Sequence, residues 1–120
     1  MDIDKTIVST LAGATGLKVH PIKKPKKAAV PCIVYRRVGA RSEVTHSGNL
    51  NNTRDRFQVI AVHNTYSGLM TLVDLIEQTL IANKTDWQVS LPTDNKLEDF
   101  DEEDGVYSSS RDYLFRYSNI

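Results

Sequence analysis

Residues 53–63 read TRDRFQVIAVH, and the alternation in that run decides the fold. Phe57, Val59 and Ala61 fall on one side of an extended chain while Arg54, Arg56 and Gln58 fall on the other, because successive side chains of a strand point to opposite faces. One face is therefore core and the other starts out wet. Upstream, residues 30–38 (VPCIVYRRV) are rich in β-branched and aromatic side chains, open with a proline where a strand tolerates one, and stop at Gly39. That run reads as a second strand, and the connection between the two favours an antiparallel pair.

The connection itself is GARSEVTHSGNLNN, fourteen residues from Gly39 to Asn52 with two Gly, two Ser and three Asn. A segment of that length without structure of its own is unusual in a compact domain and is often functional, so a protruding loop or hairpin-like arm is expected. Downstream, roughly Tyr66 to Asn83, Leu69, Leu72, Val73, Ile76 and Leu80 form one helical stripe with Thr71, Asp74 and Gln78 opposite. Each fully buried aliphatic side chain contributes about 1.5–3 kcal/mol, so this stripe anchors a core helix on the sheet. Met70 and Ile81 lie off the stripe's centre by helical geometry and mark a candidate contact flank.

Beyond the helix, Trp87, Val89 and Leu91 alternate as a short strand stopped by Pro92, and TDNKLEDFDEEDG then reads as an acidic loop. From Gly105 to Asn119 the alternation returns, with Tyr107, Tyr113, Phe115 and Tyr117 on one face of a long final strand. At the other end, Ile3, Ile7, Thr10, Leu11 and Ala14 recur at near-helical spacing behind Asp2, a good N-cap, with Gly13 or Gly16 to stop the helix. The segment HPIKKPKK (20–27) has two prolines and four lysines; it cannot pair as a central strand and reads as an exposed basic connection. The expected architecture is α+β: a single domain over 1–120 with a mostly antiparallel or mixed sheet of about four strands, and two helices packed on one face.

Charge adds what the hydrophobic pattern omits. Residues 1–60 carry eleven Lys/Arg against four Asp/Glu and residues 61–120 carry the reverse, so a net charge of zero hides halves of +7 and −7. Opposite patches on one small body suit a heterologous contact, in which one patch meets a different patch on the next copy and rotation closes a ring. The basic candidates are Lys23, Lys24, Lys26, Lys27, Arg36, Arg37 and Arg41; the acidic ones are Glu98, Asp99, Asp101, Glu102, Glu103 and Asp104. Exposed pairs are worth only about 0–1 kcal/mol each, so such charges set orientation while apolar burial supplies affinity. The plain alternative is two solvated loops without a partner.

Three runs together carry a resemblance: VPCIVYRRVG, HSGNLNNTRDRFQVIAVHNTY, and the amphipathic LMTLVDLIEQTL. In this order they are similar to the small tail completion, or tail terminator, proteins of long-tailed bacteriophages and prophages, over roughly residues 17–83. The resemblance implies a structural protein that assembles as a ring, usually a hexamer, on the end of the tail tube. There it would stop addition of tail tube protein and offer a surface to the connector or stopper of the head. His46, in the arm, joins the candidate interface residues on this reading. The protein would reside in the virion, at the head-proximal end of the tail, after assembly in the host cytoplasm, with DNA only a passing contact in the lumen. The HPIKKPKK segment is more basic than the family pattern, and the C-terminal acidic cluster matches no motif of the family. Alternatives are a head-side closure or adaptor protein, and a small nucleic-acid-binding or regulatory module.

Other classes find less in the residues. The lysine cluster lacks aromatic interleaving or a recognition motif, and a pI near 6.8 lacks the usual basic footprint of a nucleic-acid binder. His20, His46 and His63 are far apart in sequence, no phosphate loop, HExxH or GxSxG is present, and neither catalysis nor a cofactor is expected. His63 reads as packed and His46 as solvated. Cys32, alone and flanked by Pro31 and Ile33, reads as a buried thiol, which fits a reducing compartment. The run LEDFDEEDG lacks spaced calcium-loop ligands, so no metal is expected. An acidic N-terminus and the lack of a ~20-residue apolar stretch point to a soluble, cytosolic chain.

Overall fold

A computed structural model describes residues 3–22, 24, 29–42, 52–90, 96–103 and 105–118, without the side chains of 39–42, 52–53, 96 and 118. Chain order is α1 (Ile3–Thr15), β1 (Val19–Pro21), β2 (Cys32–Ser42), β3 (Asn52–His63), α2 (Tyr66–Ala82), β4 (Gln88–Ser90), β5 (Lys96–Asp101) and β6 (Val106–Ser118). The strands form one sheet in the order β1-β2-β3-β6-β4, and β5 also pairs with β6. Since β3 occupies one edge of β6 along nearly its whole length, β4 and β5 share the other edge, end to end. Every pairing is antiparallel except β1 with β2. The class is α+β with a mixed sheet, as expected.

The core lies between the two helices and one face of the sheet. Ile3, Ile7 and Leu11 of α1 and all five stripe residues of α2 are buried there against Ile33, Phe57, Val59, Ala61, Tyr113, Phe115 and Tyr117. The ladder explains the choice: Phe57 lies opposite Tyr113, Val59 opposite Arg111 and Ala61 opposite Ser109, and directly paired residues share a face. Phe57, Phe115 and Trp87 stack edge to face, with centroids 5.4 Å and 5.1 Å apart. Trp87 also donates its indole N–H to the Leu80 carbonyl at 2.8 Å, which satisfies a terminal acceptor of α2 and ties the helix end to the sheet. Thr65 caps the other end, its hydroxyl accepting from the Gly68 amide at 3.1 Å. Of the two glycines at the end of α1, Gly16 supplies the left-handed stop, with φ +70 and its amide bonded to the Ala12 carbonyl.

The sheet has two strands beyond the four expected. β1 has three residues and ends at Pro21, too short to display an alternating pattern, and it takes the edge position that its proline permits. β5 corrects the acidic loop: Leu97, Glu98, Asp99, Phe100 and Asp101 pair with β6 as one arm of a hairpin. Its described side chains are exposed on both faces, so no hydrophobic period of two marks it. The hairpin turns through Gly105, at φ +66, whose amide bonds the Asp101 carbonyl.

The connection from Gly39 is likewise less open than expected. β2 and β3 stay paired as far as Ser42 opposite Thr53, with a register shift between Arg37 and Gly39 that makes Val38 a bulge. The hairpin character of the arm's base is thereby established, while 43–51 and His46 lie outside the described residues.

Candidate assembly surfaces

Strand order places the described basic and acidic residues flanking β1 and β5 at opposite edges of one sheet. Lys18 precedes β1 and is exposed, Lys24 follows it and is half-buried, and Arg36 is exposed on β2 just past the end of β1. Across the sheet, Glu98 and Asp99 lie on β5, while Asp101, Glu102 and Glu103 lead into its turn, all exposed. Four inter-strand steps separate β1 from β5, roughly 19 Å at the usual ~4.8 Å spacing. The two edges also match in height: Val19, Ile33, Ala61, Ser109 and Glu98 form a single row of paired residues from one side to the other. Lys23, Lys26, Lys27, Asp104 and the Arg41 side chain lie outside the described residues.

Two of the sequence candidates serve the fold. Arg37 projects to the helix side, where its guanidinium lies 3.4 Å from Asp4 and 3.6 Å from Asp55 and stands over the Phe57 ring at 5.2 Å. It balances a buried carboxylate and covers the face of an aromatic ring, so its charge is largely spent within the molecule. Met70 is partly buried and packs against the core cluster. Ile81 stays exposed, and Leu75 joins it on the outer side of α2.

Asp55 is a residue the sequence reading passed over. It shares the face of Phe57 and Val59 by parity, is buried, accepts a hydrogen bond from Tyr117 Oη at 2.5 Å, and leaves Oδ1 without a partner among the described residues. Parity alone would have found it: an acid two residues before Phe57 must enter the core and needs compensation there.

The apolar surface at the acidic edge was also missed. Phe100 stacks on Tyr107 with centroids 4.6 Å apart, Tyr107 meets Tyr66 at 5.9 Å, and Tyr66 donates its hydroxyl to Glu98 Oε2 at 3.3 Å. The Glu98 charge, with that hydrogen bond, holds the Tyr66 phenol above its ordinary range. Tyr66, Phe100 and Leu97 are exposed, Leu97 at 67%. At the basic edge Ile22 is 68% exposed and Val38 48%. Each edge therefore combines charge with uncovered apolar side chains.

An open groove of about 400 Å³ lies where β3 meets α2, lined by Leu17, Pro31, His63, Gly68, Leu72 and Leu75 among others. His63 is half-buried; its Nδ1 accepts from the Thr65 amide at 3.2 Å, and its ring lies flat against Gly68. A Cβ at Gly68 would fall inside the van der Waals envelope of that imidazole. Gly68→Ala, which in an open helix stabilises by up to about 1 kcal/mol, is therefore expected to destabilise by about 1–2 kcal/mol. Urea melts of Gly68→Ala alone and with His63→Ala check this: the alanine at 68 should turn stabilising once the ring is gone. Cys32 is fully buried, and burial pushes its thiol up, with Lys24 offsetting part of the rise.

Among the described residues no three His, Cys, Asp or Glu side chains converge in a way that would hold a metal ion, and no described helix is long and apolar enough to cross a membrane. No protein-family model and no curated protein matches the sequence.

Proposed function

We propose that this chain is a structural assembly subunit that joins copies of itself head to tail into a ring, and that the ring closes the end of a phage tail tube and presents a docking surface to the head connector. The observation that carries the reading is that Lys18 and Arg36 stand at one edge of the sheet while Glu98, Asp99 and Asp101 of β5 stand at the opposite edge, with Val19 and Glu98 in one row of paired residues. Like edges repel and unlike edges attract, so the charge pattern disfavours a two-fold dimer through either edge and favours a head-to-tail contact. The resemblance of residues 17–83 to tail terminators supplies the tube, the connector and a hexameric ring; the charge pattern supplies a reason for closure. Catalysis has no part in this role, and DNA would meet the protein only in passing through the lumen.

The experiment is assembly of tails with and without the protein, viewed by electron microscopy. Tubes should be capped at one end and of uniform length with it, and overgrown without it. Replacing Lys23, Lys24, Lys26 and Lys27 by Glu should abolish capping while leaving the thermal melt unchanged. Capping that survives the reversal would remove these lysines from the contact, and uncapped tubes with the unaltered protein would end the terminator reading.

A further inference from the structure

We infer that the ring contact is made edge against edge: the outer edge of β5, with Leu97, Phe100, Glu98 and Asp99, seats on the β1–β2 edge of a second copy, at Ile22, Arg36 and Val38. The inference rests on the ring reading in taking a second copy as the occupant. Charge complementarity selects that occupant, since the exposed acids of β5 face outward on one side of the molecule and Arg36 with Lys18 faces outward on the other. Each edge also offers apolar side chains without cover: Leu97 and Phe100 on one, Ile22 and Val38 on the other. These are the groups whose burial would supply affinity, while the flanking charges fix which edge meets which.

Strand direction fits the same arrangement. β2 and β5 run oppositely within the sheet, so a copy set alongside without being turned over brings its β5 antiparallel to β2; because Leu97 is level with Val34 in the ladder, a slide of about four residues along the strands then sets Leu97 beside Val38 and Phe100 beside Ile22. The contact is one of side chains more than of a continuous ladder. β1 ends at Pro21, Ile22 leaves it with φ +70, and Val38 is a bulge, all features that interrupt backbone pairing along this edge. A β-branched residue in the left-handed region is a costly conformation, and here it holds an isoleucine out in solvent just past the end of β1.

Cross-linking tests the geometry directly. Val38→Cys and Leu97→Cys are made singly and together, and each purified full chain is treated with a short bismaleimide, free in solution and bound to tail tubes; native Cys32 is buried, so the unaltered chain serves as the blank. The double variant should give a ladder of dimers, trimers and higher species, and each single variant should stay monomeric, as a heterologous contact requires. Adding Asp99→Lys and Asp101→Lys to the double variant should reduce the ladder about tenfold, the joint effect of a few exposed ion pairs. The pair Ile22→Cys with Phe100→Cys repeats the test from neighbouring positions if the first fails to fold. Cross-linking of either single variant to itself, or no ladder in solution and on tubes, overturns the inference. Capped tubes without a ladder sink this contact and leave the terminator reading standing; a ladder without capped tubes supports the contact and sinks the terminator reading.

Discussion

Phe115→Ala is expected to cost about 3–5 kcal/mol, a large fraction of the roughly 5–15 kcal/mol that holds a typical domain together. Phe115 is wholly buried and central to the aromatic stack, edge to face with both Phe57 and Trp87. Its removal takes the packing partner from the Phe57 ring of β3 on one side and frees Trp87, which anchors the end of α2 through Leu80, on the other. The cavity cannot close by collapse, since each wall is a long strand or a helix end already fixed by its own ladder. Urea titration at neutral pH measures the loss. Phe115→Leu should recover a large part of it, whereas Phe100→Ala, at an exposed position where the ring contacts Tyr107, should cost no more than about 0.5–1.5 kcal/mol. A loss below about 1 kcal/mol for Phe115→Ala would mean that the helices do not depend on this stack.

What the sequence revealed and what it hid divide along the question of whether a face is covered. The stripe Leu69, Leu72, Val73, Ile76 and Leu80 is buried residue for residue, and Phe57, Val59 and Ala61 lie in the core. In each of these elements one side meets protein and the other meets water, so periodicity reports the structure directly. β5 has neither face covered and β1 is too short for any period; both are held by main-chain pairing that side-chain pattern does not encode. Arg37's intramolecular partners were hidden for another reason. A guanidinium on a long stem reaches a buried Asp55 and an exposed Asp4 from one position, and nothing in the local sequence announces either.

The candidate surfaces follow the same division. Charge blocks were visible along the chain, but their placement on opposite edges depends on β6 pairing between β3 and β5, a contact across half the sequence. Lys18 and Arg36 gain significance only through that order, as do Leu97 and Ile22, which in sequence are single apolar residues among charged ones. Asp55 was within reach, since its parity with Phe57 is simple arithmetic; its partner Tyr117 comes from the far end of the chain. Long-range pairing thus decides the meaning of residues whose types were plain from the start.

Alkaline pH provides the second large effect, and its sign follows from the two buried phenols of β6. Burial chiefly, then the Glu77 charge, pushes Tyr113 up to about 12 against the opposing pull of Arg111. Tyr117 rises further still, through burial first and then its hydrogen bond to Asp55 and that carboxylate's charge. In the unfolded chain a tyrosine ionises near pH 10, so below that value both states hold their protons and these groups give stability no pH dependence. Between about pH 10 and pH 12 the unfolded chain sheds a proton at each site while the fold retains it, and stability falls as pH rises. For Tyr113 alone a shift of about 2 units corresponds to about 3 kcal/mol, all of it present below pH 10. Urea midpoints at pH 8, 10 and 11.5 should therefore stay level over the first interval and drop steeply over the second. Tyr113→Phe should flatten much of that drop while leaving the pH 8 midpoint nearly unchanged. Tyr117→Phe should flatten it too, but at a neutral-pH cost of about 1–3 kcal/mol, since the buried Asp55 carboxylate loses its phenolic donor. A midpoint constant to pH 11.5 in the unaltered protein would show that these hydroxyls reach water, and would contradict the packing of β6 against α2.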